Sequence, residues 1–119
     1  MGQEQRQFIR INTRLTAIFK ILTTGKVRRA LTKDVSGGGV CFVTEGLLEP
    51  GTALEIELKL PDRAEPIRFT GEVAWSRPVG GTTKRYANPT AETGVRFVAI
   101  DAKDRALVLQ YTTLNAPAI

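Results

Sequence analysis

The chain has 119 residues, 42% hydrophobic and 24% charged, which is enough for one compact domain with a buried core and too few for two. A formal charge of +5 favours acidic partners, and the lack of histidine removes the commonest general base and the commonest metal ligand together. The single cysteine, Cys41, excludes an intramolecular disulfide and a multi-cysteine zinc site, so the composition points to a binding protein and not to an enzyme.

Residues 1–13 begin with the polar run Gly2-Gln3-Glu4-Gln5-Arg6-Gln7 and read as a flexible arm, with the folded domain expected over 14–119. Leu15 to Leu22 is rich in β-branched and aromatic residues, Thr24-Gly25 marks a turn, and Lys26 to Lys33 completes a predicted hairpin. Asp34-Val35-Ser36-Gly37-Gly38-Gly39 breaks the pattern before a short third strand, Val40 to Thr44, in which Cys41 reads as a packed thiol. Leu54, Ile56, Leu58 and Leu60 alternate with Glu55, Glu57 and Lys59, the signature of a half-buried strand.

A fifth strand is expected to place Ile67, Phe69, Val73 and Trp75 on one face, with Gly71 as a bulge or close approach. Arg77 to Thr90 reads as a long loop able to fold over a ligand, and Thr93 to Ala99 as the sixth strand. Asp101 can cap a helix running to about Asn115, with Leu107, Val108, Tyr111 and Leu114 on one stripe. The predicted fold is all-β with one C-terminal helix, a six-stranded antiparallel β-barrel whose edge or open end the helix covers.

Two features exceed ordinary barrel grammar. Arg6 and Arg10 stand four residues apart and share a face whether the arm is helical or extended. Paired guanidinium forks match phosphate oxygens bidentately, and they also fit the O6 and N7 edge of guanine. Alone, such a pair more often marks a solvated charged tail, and it needs a second feature beside it. The second feature is the turn itself, which reads equally as a plain hairpin turn or as a site where Gly37, Gly38 and Gly39 adopt positive φ and open backbone N–H groups to an anion. Ser36 can add a donor to a phosphate, and Asp34 can accept from the N1–H and N2–H₂ groups of guanine. Gly80-Gly81-Thr82-Thr83-Lys84 lacks the ending and the helix of a phosphate loop, while Asp62, Glu65 and Glu72 read as solvated carboxylates.

In this order the two features resemble the PilZ domain family, whose signature pairs R-x-x-x-R ahead of the first strand with [DN]-x-S-x-x-G at a strand junction. Here these are Arg6-x-x-x-Arg10 and Asp34-x-Ser36-x-x-Gly39, both without a substitution, and Gly71-Glu72-Val73-Ala74-Trp75 and Thr93-Gly94-Val95-Arg96-Phe97 are similar to the family as well. Many members carry a further arginine just before the first motif, where this chain has Gln5. The resemblance implies binding of the bacterial second messenger cyclic di-GMP through Arg6, Arg10, Asp34, Ser36 and Gly39, with Gly38 beside them. It adds Trp75 as a ligand neighbour, although the alternation of its strand places that side chain in the core.

The expected mechanism is an arm that folds over cyclic di-GMP against the glycine turn and so presents a new surface to an unidentified downstream protein. A rival reading is a small basic barrel for single-stranded nucleic acid, against which stand only eight aromatic residues, several on apolar faces. A third is an adaptor of the same family without nucleotide binding, against which stand the intact motifs. No apolar stretch approaches membrane-spanning length and no signal segment follows Met1, so no membrane partner and a cytoplasmic location are expected.

Overall fold

The computed structural model of the chain describes residues 8–79 and 90–116. Seven strands and one helix lie within them: β1 (Arg10–Asn12), β2 (Thr16–Ile21), β3 (Val27–Ser36), β4 (Gly39–Glu45), β5 (Ala53–Leu58), β6 (Ile67–Pro78), β7 (Thr90–Ile100) and α1 (Ala102–Leu114). The six strands β2 to β7 close in the order β3-β2-β5-β6-β7-β4, and β4 returns to β3, every pairing antiparallel. This is the six-stranded barrel with a C-terminal helix expected from the sequence. Closure removes the exposed edges that an open sheet would leave to aggregation.

The alternation in β5 is what fills the barrel. Leu54, Ile56, Leu58 and Leu60 are all buried, and they meet Phe19, Phe42, Ile67, Phe69 and Val73 in one core. Phe19 stacks on Phe42 with ring centroids 6.0 Å apart. Burying each such side chain is worth roughly 1.5–3 kcal/mol relative to exposure, so this cluster holds the strand register. From α1, Val108 and Thr112 are buried, and Leu107 and Tyr111 pack against the core. Leu114 departs from the expected stripe and is exposed at 73%, because the helix ends there, past the barrel wall. Asp101 holds the N-cap position, but only its carbonyl serves, accepting from the Arg105 N–H at 2.8 Å, and its carboxylate makes no capping bond.

Three differences from the sequence expectation bear on the site. The last part of the expected arm is strand: Arg10, Ile11 and Asn12 pair with Ser36, Val35 and Asp34. The reason is that β3 outruns β2, whose pairing stops at Thr16↔Leu31, and β1 covers the remaining edge. Secondly, Asp34 to Gly39 is not a break. β3 continues through Ser36, β4 starts at Gly39, and Gly37-Gly38 alone form a two-residue hairpin turn. None of the three glycines uses a positive φ, which is found instead at Gly25, Gly46 and Gly51.

Thirdly, Trp75 leaves the core. The register of β6 against β7 shifts between Val73 and Trp75, so Val73 is buried and Trp75, two residues on, is 41% exposed on the outer face. Gly71 is the close approach it was expected to be: a Cβ there would lie 2.6 Å from the Val95 side chain. Of the expected loop, Arg77 and Pro78 belong to β6 and Thr90 to β7, and residues 80–89 lie outside the described residues.

Candidate ligand site

Barrel closure brings β1, β3, β4, β7 and β6 side by side, and their outer faces form the site. Ile11 and Val35 point into the core, so Arg10, Asp34 and Ser36 point out. Arg10 Nη1 donates to Asp34 Oδ1 at 2.8 Å. The two side chains differ in setting: the guanidinium is 47% exposed and the carboxylate 12%. Ser36 Oγ staples the turn, accepting from the Gly38 N–H at 3.1 Å and donating to the Gly39 carbonyl at 3.3 Å.

Arg10, Ser36, Gly38, Gly39 and Trp75 line a single concavity of about 270 Å³. Asp34 adjoins it through its bond to Arg10. Arg6 lies outside the described residues. Gly39 is glycine for a reason composition does not show: a Cβ there would overlap the Val95 carbonyl oxygen, so the space it leaves is taken by β7.

Sequence reasoning missed Arg96, Gly94 and Cys41, which line the same concavity. Strand alternation around Val95 and Phe97 already turns Arg96 outward, but only the pairing Gly39↔Arg96 places it opposite the turn. Its guanidinium bonds to Glu72 through Nε, at 2.9 Å, and through Nη2. Cys41 pairs with Asp34 on one side and Gly94 on the other. Burial, and then the charges of Asp34 and Glu92, push its thiol up to about 11, so at neutral pH it is a protonated packing group and not a nucleophile.

Glu92, outside the lining of the concavity, ties β7 to β3 and β6. It accepts from Lys33 Nζ at 2.8 Å and from Arg77 Nη2 at 2.9 Å. These bonds, Lys33 first and Arg77 second, hold its carboxyl below the usual carboxylate range, and the same bond raises Lys33. Arg77 in turn lies over the Trp75 ring, 5.3 Å from its centroid. Glu92 thus holds the cation that holds the indole.

The result is a glycine floor, a partly exposed indole that shares its surroundings with Arg77 and Gly94, and two guanidinium groups, Arg10 and Arg96, each tethered by a carboxylate. Such an arrangement suits a planar anionic ligand: the ring stacks, and the tethered cations meet oxygens with little rotamer entropy left to lose. Among the described residues no cluster of His, Cys, Asp and Glu is arranged to hold a metal, and no helix is long and apolar enough to cross a membrane.

Trp75 depends on Gly94 beneath it. A Cβ at Gly94 would overlap the indole, so Gly94→Ala should swing the ring away at small cost in stability, since an exposed side chain can yield. Trp75 is the only tryptophan, so fluorescence excited at wavelengths too long for the two tyrosines reads it alone. The expected result is a shifted emission maximum; an unchanged spectrum would mean that the ring does not rest on Gly94.

The family model for the PilZ domain matches residues 4–114. Solved structures share the fold. The Bacillus subtilis inhibitor of motility MotI (DgrA) superposes with a TM-score of 0.74 at 22% identity, over 98% of this chain and 55% of that one. The PilZ domain of Escherichia coli YcgR, solved with c-di-GMP, gives 0.72 at 15%, over 93% of this chain and 91% of that one. The K. pneumonia MrkH–c-di-GMP complex gives 0.71 at 17%, over 96% and 54%. The chain therefore spans about half the length of MotI and MrkH and nearly all of the isolated YcgR domain. No curated protein matches it in sequence.

Proposed function

The chain belongs to the PilZ domain family, and from that premise we propose that it binds cyclic di-GMP on the outer face of β1, β3, β4, β6 and β7 and relays the signal to a downstream protein. The observation that carries this reading is the convergence of Arg10, Ser36, Gly38, Gly39 and Trp75 on one concavity, with Asp34 bonded to Arg10 beside it. Arg10 and Arg6 grip phosphate oxygens and guanine O6 and N7, and Asp34 accepts from the guanine N1–H and N2–H₂ donors. Ser36 meets a phosphate, and the Trp75 indole stacks on a base.

Magnitudes favour binding over the free state. The Arg10–Asp34 pair is open to solvent only on its arginine side, and that screening discounts it to about 1 kcal/mol, whereas each charge-assisted bond to a ligand contributes roughly 1.5–3 kcal/mol. The carboxylate and guanidinium gain more by turning to the ligand than they lose by loosening from each other. Since β1 already seats Arg10, the step we assign to the ligand is the recruitment of Arg6 around it, and the surface made by arm and ligand together is what a partner reads.

Calorimetric titration with cyclic di-GMP, beside GTP, cyclic di-AMP and a single-stranded oligonucleotide, tests the ligand. Saturable binding of cyclic di-GMP alone, weakened by Arg6→Ala, is expected. Equal heats for all four, or preference for the oligonucleotide, would remove the reading.

A further inference from the structure

Phe8 stands between Arg6 and Arg10 in the sequence, and its half-buried ring lies against two elements distant in the chain. It lies across the glycine turn: a Cβ on Gly37 would come within 2.7 Å of the ring and one on Gly38 within 3.1 Å. The α1 side contributes Leu109, whose side chain fills the remaining space over Gly37, and Arg105, whose guanidinium carbon is 5.3 Å from the ring centroid. A second tie follows five residues on, where Thr13 Oγ1 and Tyr111 Oη are 3.1 Å apart. The glycine density of the turn thus has a physical cause on its outer side, since Gly37 and Gly38 leave the room that an aromatic ring and a leucine occupy.

We propose that Phe8 is the positioning residue of the ligand site: its clamp between the turn and α1 fixes the arm so that Arg10 faces the concavity. This rests on the reading of the site as a cyclic di-GMP site and deepens it. The turn that receives Phe8 is the turn that floors the concavity, and Gly38 is the residue the two share, so ring and ligand adjoin there. With the ring seated, the backbone of residues 8–12 is ordered before ligand arrives. Arg6 is then kept within about 7 Å of chain of a fixed point. Without the ring, binding must order these residues itself, and that entropy is subtracted from affinity. The clamp also makes α1 part of the site's support, although no α1 side chain lines the concavity.

The test is affinity for cyclic di-GMP by calorimetry, with thermal melting of the ligand-free chain, on wild type, Phe8→Ala, Phe8→Leu and Gly37→Ala. Phe8→Ala should weaken binding on the order of 10-fold or more, because several residues lose their prior order. Phe8→Leu, which still fills the clamp, should recover most of the affinity. Gly37→Ala approaches from the opposite side and should reproduce the loss by crowding the clamp, since its Cβ would overlap the Leu109 side chain and come within 2.7 Å of the ring, so the inference does not hang on one truncation that opens a cavity. Wild-type binding with Phe8→Ala equally tight, or a loss that Phe8→Leu fails to recover, overturns the positioning role and leaves the ligand assignment standing. Wild type that binds no cyclic di-GMP overturns the ligand assignment and this inference with it.

Discussion

Gly39→Ala should destabilise the barrel by about 3 kcal/mol, the upper end of the usual range for overpacking. The added Cβ would overlap the Val95 carbonyl oxygen and stand 3.1 Å from the Arg96 Cα. Both obstacles are backbone. An overlap with the end of a flexible side chain is relieved by a rotamer change, but this one is relieved only by parting β4 from β7, whose ladder runs from Gly39↔Arg96 to Glu45↔Thr90. The bond from Phe97 N–H to the Gly38 carbonyl, 3.1 Å long, sits at the same place and would stretch with it. For a domain of this size the melting temperature should fall by roughly 10 °C. Gly51→Ala is the comparison. Gly51 has φ +90° and no atom within 4 Å of its added Cβ, so its substitution costs only the backbone strain, about 1–2 kcal/mol. If thermal melts show Gly39→Ala costing no more than Gly51→Ala, the seam between β4 and β7 is not what requires glycine there.

The same residue shows where sequence reading stops. That position 39 matters was legible from the Asp34-x-Ser36-x-x-Gly39 spacing. Its cause was not, because a strand packed 57 residues later, at Arg96, leaves no trace in local composition. Leu54 to Leu60 were legible in full, since a two-residue period with one buried face is a local signal. Trp75 was misplaced by the same rule. The alternation that seats Val73 in the core is interrupted by a register shift against β7, and a bulge belongs to a pair of strands and cannot be read from one of them. Arg10-Ile11-Asn12 is too short to show an alternation, with Ile11 its one apolar residue, and it is extended because β3 offers it an unpaired edge. Alternation turned Arg96 outward and the expected strand stopped short of Glu92, and the partners of both, Glu72 for one and Lys33 and Arg77 for the other, are set by barrel register.

Arg10→Ala should weaken cyclic di-GMP binding about 100-fold, which corresponds to roughly 2.7 kcal/mol. Two charge-assisted bonds to the ligand supply about 3–6 kcal/mol, from which the attraction to Asp34 that is loosened on binding, about 1 kcal/mol at most, is subtracted. Asp34→Ala should cost less affinity than Arg10→Ala, because its carboxylate accepts from neutral donors of a guanine edge, and the guanidinium left behind is free to hydrate. The order of stabilities in the free protein follows from exposure. Arg10→Ala strands a carboxylate that is only 12% exposed, whereas Asp34→Ala strands a guanidinium that is 47% exposed, so chemical denaturation should find Arg10→Ala the less stable of the two. The double variant should bind no more weakly than the sum of the single losses, and more tightly than that sum if each group orients the other before ligand arrives. Unchanged affinity in Arg10→Ala would sink the site. Strict additivity in the cycle would leave the site in place but show that Asp34 does not aim Arg10, since a residue that only contacts ligand has no reason to share its loss with a neighbour 2.8 Å away.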